Sequence, residues 1–161
     1  MADIVLGVGE LGASNVQGIQ LKTYALGSCV AVVLLDPRTR TVGMVHVALP
    51  DSSINPDRAQ TLPGYFADTG IPSLMQAMTR FGTNGHQGLI VKLAGGAQIM
   101  DPNNTFNIGK RNALAVKKIL WGMGLGPRAE DLGDNYSRTV SVATDTGIMV
   151  LSSPGRPTWK L

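Results

Sequence analysis

The 161-residue sequence has one cysteine, two histidines and few charged residues, and each scarcity excludes a class of protein. A single cysteine cannot form an intramolecular disulfide, so the sequence is typical of a protein in a reducing compartment. The cysteine and the histidines show neither CxxC nor HxxxH spacing, which argues against a metal site. We therefore expect no metal, no other cofactor and a cytoplasmic location.

Charge and hydropathy exclude two further classes. Charged residues make up only 16% of the chain, the net charge is +3, and Lys and Arg form no long block. This distribution argues against a nucleic-acid-binding surface. The sequence contains no run of about 18 apolar residues, so no membrane insertion is expected. A hydrophobic share of 43% instead fits one domain with a substantial core.

Apolar patterns predict an α/β domain in which strands outnumber helices. Runs rich in β-branched residues indicate strands, and apolar positions at helical spacing indicate helices. We predict strands at 4–8, 19–24, 30–35, 41–49, 88–93, 140–142 and 148–151, helices at 73–81 and 109–121, and a loop at 51–63. The expected fold is a mixed, largely antiparallel sheet flanked by helices. Residues 1–153 would form the domain, and residues 154–161 a flexible C-terminal tail.

The lone cysteine, Cys29, lies where a glycine turn meets a predicted strand, and His46 lies in the next strand. The intervening segment 36–39, Asp-Pro-Arg-Thr, suits a type I turn. A four-residue loop on this turn pairs Leu35 with Arg40 and, by continued counting, Cys29 with His46. Directly opposed side chains share a sheet face, with Cβ atoms about 4.5–5.5 Å apart. The prediction depends on the register, because a one-residue slip would separate the two side chains.

A thiol facing an imidazole is a candidate nucleophile–base pair for acyl transfer. Taken alone, a free cysteine is usually a small core side chain and a lone histidine is usually structural. Their predicted opposition counts in favour of a catalytic role for the pair. Gly27 permits a tight turn that would leave the backbone N–H groups from Ser28 to Val30 free to hold an oxyanion.

Two other polar residues enter as candidates. Thr23, just upstream, could orient the imidazole, although spacing does not select it. His86, in a predicted turn, is a reserve candidate for the base. The segment 7–12 matches GxGxxG, but no helical pattern follows it, so we interpret it as a loop rather than a dinucleotide site.

Several segments together resemble the CheD family, the chemoreceptor glutamine deamidases of bacterial chemotaxis. These are TYALGSCV at 23–30, GMVHVALP at 43–50, YFAD at 65–68, KLAGGA at 92–97 and IGKRN at 108–112. The resemblance covers nearly the whole chain. It departs from the expected family pattern at Tyr24, and at Asp134 and Ser137 in the segment 131–138.

The resemblance implies a catalytic set of Cys29, His46 and Thr23 that hydrolyses receptor glutamines to glutamate and releases ammonia. It implies the cytoplasmic domain of methyl-accepting chemotaxis receptors as the protein substrate, and the CheY phosphatase CheC as a further partner. It also implies an α/β sandwich similar to the catalytic domain of cytotoxic necrotizing factor toxins. Glutamyl methyl esters would be a side substrate, since an ester is an easier acyl donor than an amide.

Two other functions stay open at this point. The chain could be a non-catalytic adaptor that binds receptors or CheC. It could also be a cysteine-dependent acyl hydrolase that acts on another substrate.

Overall fold

The computed structural model describes residues 2–99 and 106–161, and within them ten strands and three α-helices. The strands are β1 Ala2–Val5, β2 Leu11–Ser14, β3 Ile19–Leu26, β4 Val30–Asp36, β5 Thr41–Val47, β6 Ile90–Gly95, β7 Pro127–Leu132, β8 Arg138–Ala143, β9 Met149–Ser152 and β10 Trp159–Lys160. The helices are α1 Pro56–Thr61, α2 Ala67–Met78 and α3 Ile108–Gly122, with short 3₁₀ turns at Ser52–Ile54, Pro63–Tyr65 and Thr79–Phe81.

The strands form two five-stranded sheets. The first sheet has the order β1-β3-β8-β9-β10, and the second has the order β2-β5-β4-β6-β7. Each sheet contains one parallel pair, β1 with β3 and β6 with β7, and its other pairs are antiparallel. The α/β class and the mixed, largely antiparallel pairing are as the sequence predicts.

The second sheet is the middle layer of the molecule. On one side of β4, Ala31 and Val33 pack in the core shared with the first sheet. On the other side, Val32 and Leu34 pack in a core with residues of α2 and α3. β4 is therefore buried on both faces, which explains why it reads as a continuous apolar run rather than an alternating one. Each such fully buried valine or leucine contributes about 1.5–3 kcal/mol through the hydrophobic effect.

The structure differs from the prediction in having two sheets, with its two long helices packed on one of them. The sequence pattern could not reveal this, because a strand's apolar period is the same whichever sheet it joins. The strands that were not predicted, β2, β7 and β10, are edge or near-edge strands without apolar runs. Within the predicted loop 51–63, residues 56–61 form α1, and α2 begins at Ala67 rather than Ser73 with Pro72 inside it.

The C-terminal residues 154–161, expected to form a tail, include the strand β10. Trp159 pairs with Leu151 of β9, and the Leu161 N–H donates to the Met149 carbonyl at 2.9 Å. The Trp159 indole N–H donates to Asp131 Oδ2 at 2.5 Å. The indole ring supplies both apolar surface and a hydrogen-bond donor. β10 is an edge strand of the first sheet.

No helix in the described part of the chain is long and apolar enough to cross a membrane.

Candidate active site

Cys29 and His46 lie on the same face of the second sheet, but they are not directly opposed as predicted. In the observed register Ala31 pairs with His46 and Val30 with Val47, so the ladder is shifted by two residues. Cys29 immediately precedes β4. Because side chains alternate with a period of two, this shift keeps both side chains on one face and makes them diagonal neighbours. Diagonal positions in an antiparallel ladder are about 7–8 Å apart.

The hairpin loop explains the corrected register. The ladder continues to an Asp36–Thr41 pair, and the four loop residues are 37–40 rather than 36–39. Arg40, the last loop residue, has a left-handed φ of +57°. The second strand of the hairpin therefore begins at Thr41 rather than at Arg40. Asp36 still stabilises the turn, since its carboxylate accepts from the Arg38 N–H at 3.1 Å and the Thr39 hydroxyl at 2.9 Å.

Thr23 fixes the state of the His46 ring. The Thr23 hydroxyl oxygen lies 2.7 Å from His46 Nδ1 and donates to the Leu6 carbonyl, also at 2.7 Å. A hydroxyl has one proton, so Thr23 must accept from His46, and Nδ1 carries the ring proton. The other ring nitrogen, Nε2, is then a bare lone pair, and it is buried without a partner in the described structure. An unprotonated nitrogen without a hydrogen bond is what a general base requires.

The His46 backbone is held by the segment that matched GxGxxG. The Gly9 N–H donates to the His46 carbonyl at 2.8 Å, and the His46 N–H donates to the Glu10 carbonyl at 3.1 Å. Gly9 has a φ of +81°, and a strand, β2, follows the segment instead of a helix. The loop interpretation is therefore confirmed. The roles of this loop and of the Leu6 carbonyl just before it were not predicted, because a backbone group leaves no signal in a search for reactive side chains.

Burial acts on both reactive groups in the direction of neutrality. His46 is 3% exposed, and its desolvation lowers the pKa of the imidazole to about 4. Burial raises the pKa of the partly exposed Cys29 thiol, and hydrogen bonding from its own backbone N–H has a smaller, opposite effect. Near neutral pH the pair is therefore a thiol and a neutral imidazole, not a preformed thiolate–imidazolium pair.

The carbonyls of Gly27, Ser28 and Cys29 all accept hydrogen bonds. The Gly27 carbonyl accepts from the Ala97 N–H and the Cys29 carbonyl from the Gly96 N–H, both at 2.8 Å. The Ser28 carbonyl accepts from Nδ2 of Asn112, a residue the sequence analysis did not single out. Within the described residues, the N–H groups of Ser28 and Cys29 find no carbonyl acceptor.

The N–H of Val30 does not share this freedom. In an antiparallel ladder, hydrogen-bonded pairs alternate with pairs that exchange no hydrogen bond. Because the Gly96 N–H donates to the Cys29 carbonyl, the next pair, Val30 with Gly95, exchanges none. The Val30 N–H therefore points to the neighbouring strand on the other side, β5. Of the three predicted oxyanion donors, the N–H groups of Ser28 and Cys29 have no carbonyl acceptor among residues 2–99 and 106–161, and the N–H of Val30 belongs to the sheet.

A groove of about 200 Å³ adjoins the Cys29 loop. Gly27 and Ser28 form one wall, and the side chains of Ile99 and Phe106 are exposed at its rim. A Cβ on Gly27 would lie 3.6 Å from the Ile99 side chain. Glycine at this position leaves that space in the groove open. A groove of similar size at the opposite end of the hairpin, beside Asp36, has neither a cysteine nor a histidine among its described lining residues.

The remaining histidine is too distant to act as the base. His86 precedes β6, whose other end meets Cys29 through Gly95 and Gly96. Six strand residues span about 20 Å, so His86 lies at the far end of the sheet. In the described ranges, no three His, Cys, Asp or Glu side chains cluster as metal ligands.

Comparison with known proteins identifies the family. Residues 48–153 match the family model described as CheD chemotactic sensory transduction. The chain is 56% identical, over the full length of both chains, to the probable chemoreceptor glutamine deamidase CheD of Syntrophotalea carbinolica. It is 38% identical to the chemoreceptor glutamine deamidase CheD of Thermotoga maritima, with 94% of this chain and 92% of the relative covered. On both grounds, this chain belongs to the CheD family.

Proposed function

We propose that this protein is a cysteine-dependent protein-glutamine deamidase that acts on methyl-accepting chemotaxis receptors. The names of its relatives support the substrate class. The observation that carries the chemistry is the bond between Thr23 and His46, which leaves Nε2 unprotonated on the face that Cys29 shares. Cys29 is the nucleophile, His46 is the base and then the acid, and Thr23 orients the imidazole.

The first half-reaction is acyl transfer to sulfur. As Sγ of Cys29 attacks the glutamine Cδ, His46 Nε2 takes the thiol proton and the amide oxygen becomes an oxyanion. The N–H groups of Ser28 and Cys29 stabilise this charge. The C–N bond then breaks, the imidazolium gives its proton to the leaving nitrogen, and ammonia departs. The low pKa of His46 favours this donation, because a desolvated imidazolium is a strong acid.

The second half-reaction restores the enzyme. Water gives a proton to Nε2 as its oxygen attacks the thioester carbon, and the same N–H groups hold the second oxyanion. The C–S bond breaks, the proton returns to sulfur, and glutamate is released. The net reaction consumes one water per glutamine and yields one glutamic acid and one ammonia, which are glutamate and ammonium at neutral pH. The residues involved need no cofactor for it.

The same steps apply to a glutamyl methyl ester, with methanol in place of ammonia, so esterase activity belongs to the proposal. Because the proposed substrate is the cytoplasmic part of the receptor, the proposal includes a cytoplasmic location for the protein. Binding of CheC and a likeness to the cytotoxic necrotizing factor domain stay predictions from the family resemblance.

The test follows the conversion of glutamine to glutamate in a purified cytoplasmic receptor fragment by mass spectrometry, with ammonia measured in parallel. Cys29→Ala and His46→Ala should each abolish conversion, whereas His86→Ala, at the far end of the sheet, should retain it. Conversion by Cys29→Ala would refute the nucleophile. Receptor binding without conversion by the wild type would favour the adaptor, and labelling of Cys29 by thiol probes without conversion would favour another acyl substrate.

A further inference from the structure

Asn112 is a buried polar side chain that connects both halves of the site without touching either reactive group. It lies on α3 and is fully buried. Its Nδ2 donates to the carbonyl of Ser28 and to the carbonyl of Ala48, each at 2.9 Å. Ser28 precedes the nucleophile, and Ala48 follows the end of the strand that carries His46. One amide therefore ties the Cys29 loop to β5.

This arrangement leaves one buried polar atom of Asn112 unsatisfied. Both partners of Asn112 are carbonyls, so the nitrogen must face them, and Oδ1 is left buried without a partner among the described residues. An unpaired buried acceptor typically costs about 1–3 kcal/mol. Val116 and Leu120, at the next positions of the same helical stripe, are apolar and fully buried. An apolar residue at position 112 would leave the Ser28 and Ala48 carbonyls without this donor, so the holding of these two carbonyls calls for an explanation.

Peptide geometry supplies one. The Ser28–Cys29 peptide is trans, and in a trans peptide the C=O and the following N–H point in opposite directions. Asn112 holds the Ser28 C=O toward α3, which turns the Cys29 N–H to the opposite side. That N–H belongs to the residue that carries the sulfur, and it donates to no carbonyl of the described residues. The oxyanion forms next to the attacking sulfur, so an N–H group at this position can donate a hydrogen bond to it.

The flanking peptides have other anchors. Backbone N–H groups of Ala97 and Gly96 hold the Gly27 and Cys29 carbonyls. The Ser28 carbonyl is the one of the three that a side chain holds, so a single substitution can release the Ser28–Cys29 peptide without removing a backbone bond.

We propose that Asn112 is the positioning residue of the oxyanion hole, holding the Ser28–Cys29 peptide so that the Cys29 N–H faces the oxyanion. This inference rests on the proposed acyl-transfer function of Cys29. Asn112 stabilises the transition state through the peptide and does not contact the substrate.

Three rates test the assignment in Asn112→Leu, which keeps a similar volume and removes both donors. Receptor deamidation and acylation by a p-nitrophenyl ester both form an oxyanion, whereas alkylation of Cys29 by iodoacetamide does not. We expect kcat for deamidation and the acylation rate to fall on the order of 10- to 1,000-fold. KM and the alkylation rate should stay within about threefold, because neither depends on the oxyanion.

Val116→Ala, one turn along the same buried stripe, is the matched control. It should lower the thermal stability without separating acylation from alkylation. A folded Asn112→Leu variant whose acylation stays within about threefold of wild type would overturn the proposal. A proportional fall in acylation and alkylation would also overturn it, since that result indicates a general disturbance of the thiol.

Asn112→Asp keeps the test decisive if the leucine variant does not fold. An ionised carboxylate cannot donate to Ser28, whereas a protonated one can donate a single hydrogen bond. We expect ester acylation by this variant to recover as the pH falls from about 8 to about 5.5, relative to wild type. Wild-type-like acylation at the higher pH would contradict the proposal. Because the ester needs no receptor, Asn112-dependent acylation without receptor deamidation would refute the substrate and leave this inference intact.

Discussion

The Thr23 hydroxyl lies 2.7 Å from His46 Nδ1 while it donates to the Leu6 carbonyl, and this relationship sets the tautomer of the proposed base. Thr23 and His46 belong to different sheets, so the bond forms only when the two sheets pack. The Leu6 carbonyl determines which partner donates in the bond between Thr23 and His46. With its proton committed to Leu6, Thr23 can only accept, and Nε2 is left to take a proton from Cys29.

Replacing Thr23 with valine preserves the shape of the side chain and removes this control. Both ring tautomers then become accessible, and the Leu6 carbonyl loses its donor. We expect kcat for deamidation to fall on the order of 10- to 100-fold, with a smaller change in KM. Thr23→Ser, which retains a hydroxyl, is the control and should keep most of the activity. Equal kcat values for the valine variant and wild type would argue against an orienting role.

The lowered pKa of His46 predicts an unusual pH profile. A base must be unprotonated, and a pKa of about 4 keeps the imidazole neutral throughout the mildly acidic range. We expect kcat/KM for deamidation to be flat between about pH 5 and 8, and to fall only near pH 4. Circular dichroism at each pH controls for unfolding. A decline with a midpoint near 6.5, the ordinary histidine value, would contradict the desolvated base.

Gly95 is predicted to be irreplaceable because it supports the Cys29 backbone. A Cβ at this position would lie 2.2 Å from the Cys29 carbonyl oxygen, and the φ of +115° is itself unfavourable for other residues. Gly88→Ala is the control, since Gly88 has a φ of +80° but open space around it. We expect Gly88→Ala to cost about 1–2 kcal/mol of unfolding free energy from backbone strain alone.

Gly95→Ala should cost clearly more in urea denaturation and should also reduce deamidation, since the backbone of Cys29 must move. Similar losses in the two variants would show that the contact with Cys29 can relax without consequence.

The fully buried guanidinium of Arg138 depends on Asp131. The Arg138 Nη2 lies 2.8 Å and Nε 3.0 Å from Asp131 Oδ1, and Trp159 donates to the other oxygen. Asp131→Ala leaves a buried charge without its counterion, so we expect a loss of about 3–5 kcal/mol in unfolding free energy. The adjacent Glu130 forms a partly exposed ion pair with Lys117 at 2.7 Å. Glu130→Ala should cost at most about 1 kcal/mol, and equal losses in the two variants would argue against the buried pair.

Patterns with strong local causes were predictable. The continuous apolar run of β4, the helical stripe of α3 and the hairpin of β8 and β9 follow from periodicity and turn residues. Edge strands such as β7 were not predictable, because their sequence, Pro-Arg-Ala-Glu-Asp-Leu, has no apolar run to distinguish it from a loop. The C-terminal strand was missed because it has only two residues, and because Trp159 donates to Asp131, which lies 28 residues earlier in the chain and outside any local pattern.

The sequence by itself determined that Cys29 and His46 share one face of one hairpin, since a two-residue error in register leaves the side-chain alternation intact. Only the tertiary structure decided which ring nitrogen of His46 is free and which N–H groups beside Cys29 are unbonded. Those properties depend on Leu6, which follows β1, on Thr23 of β3 and on Asn112 of α3. A hydrogen-bond state is set by all the groups that surround an atom, and packing across the sheets is what brings those groups together.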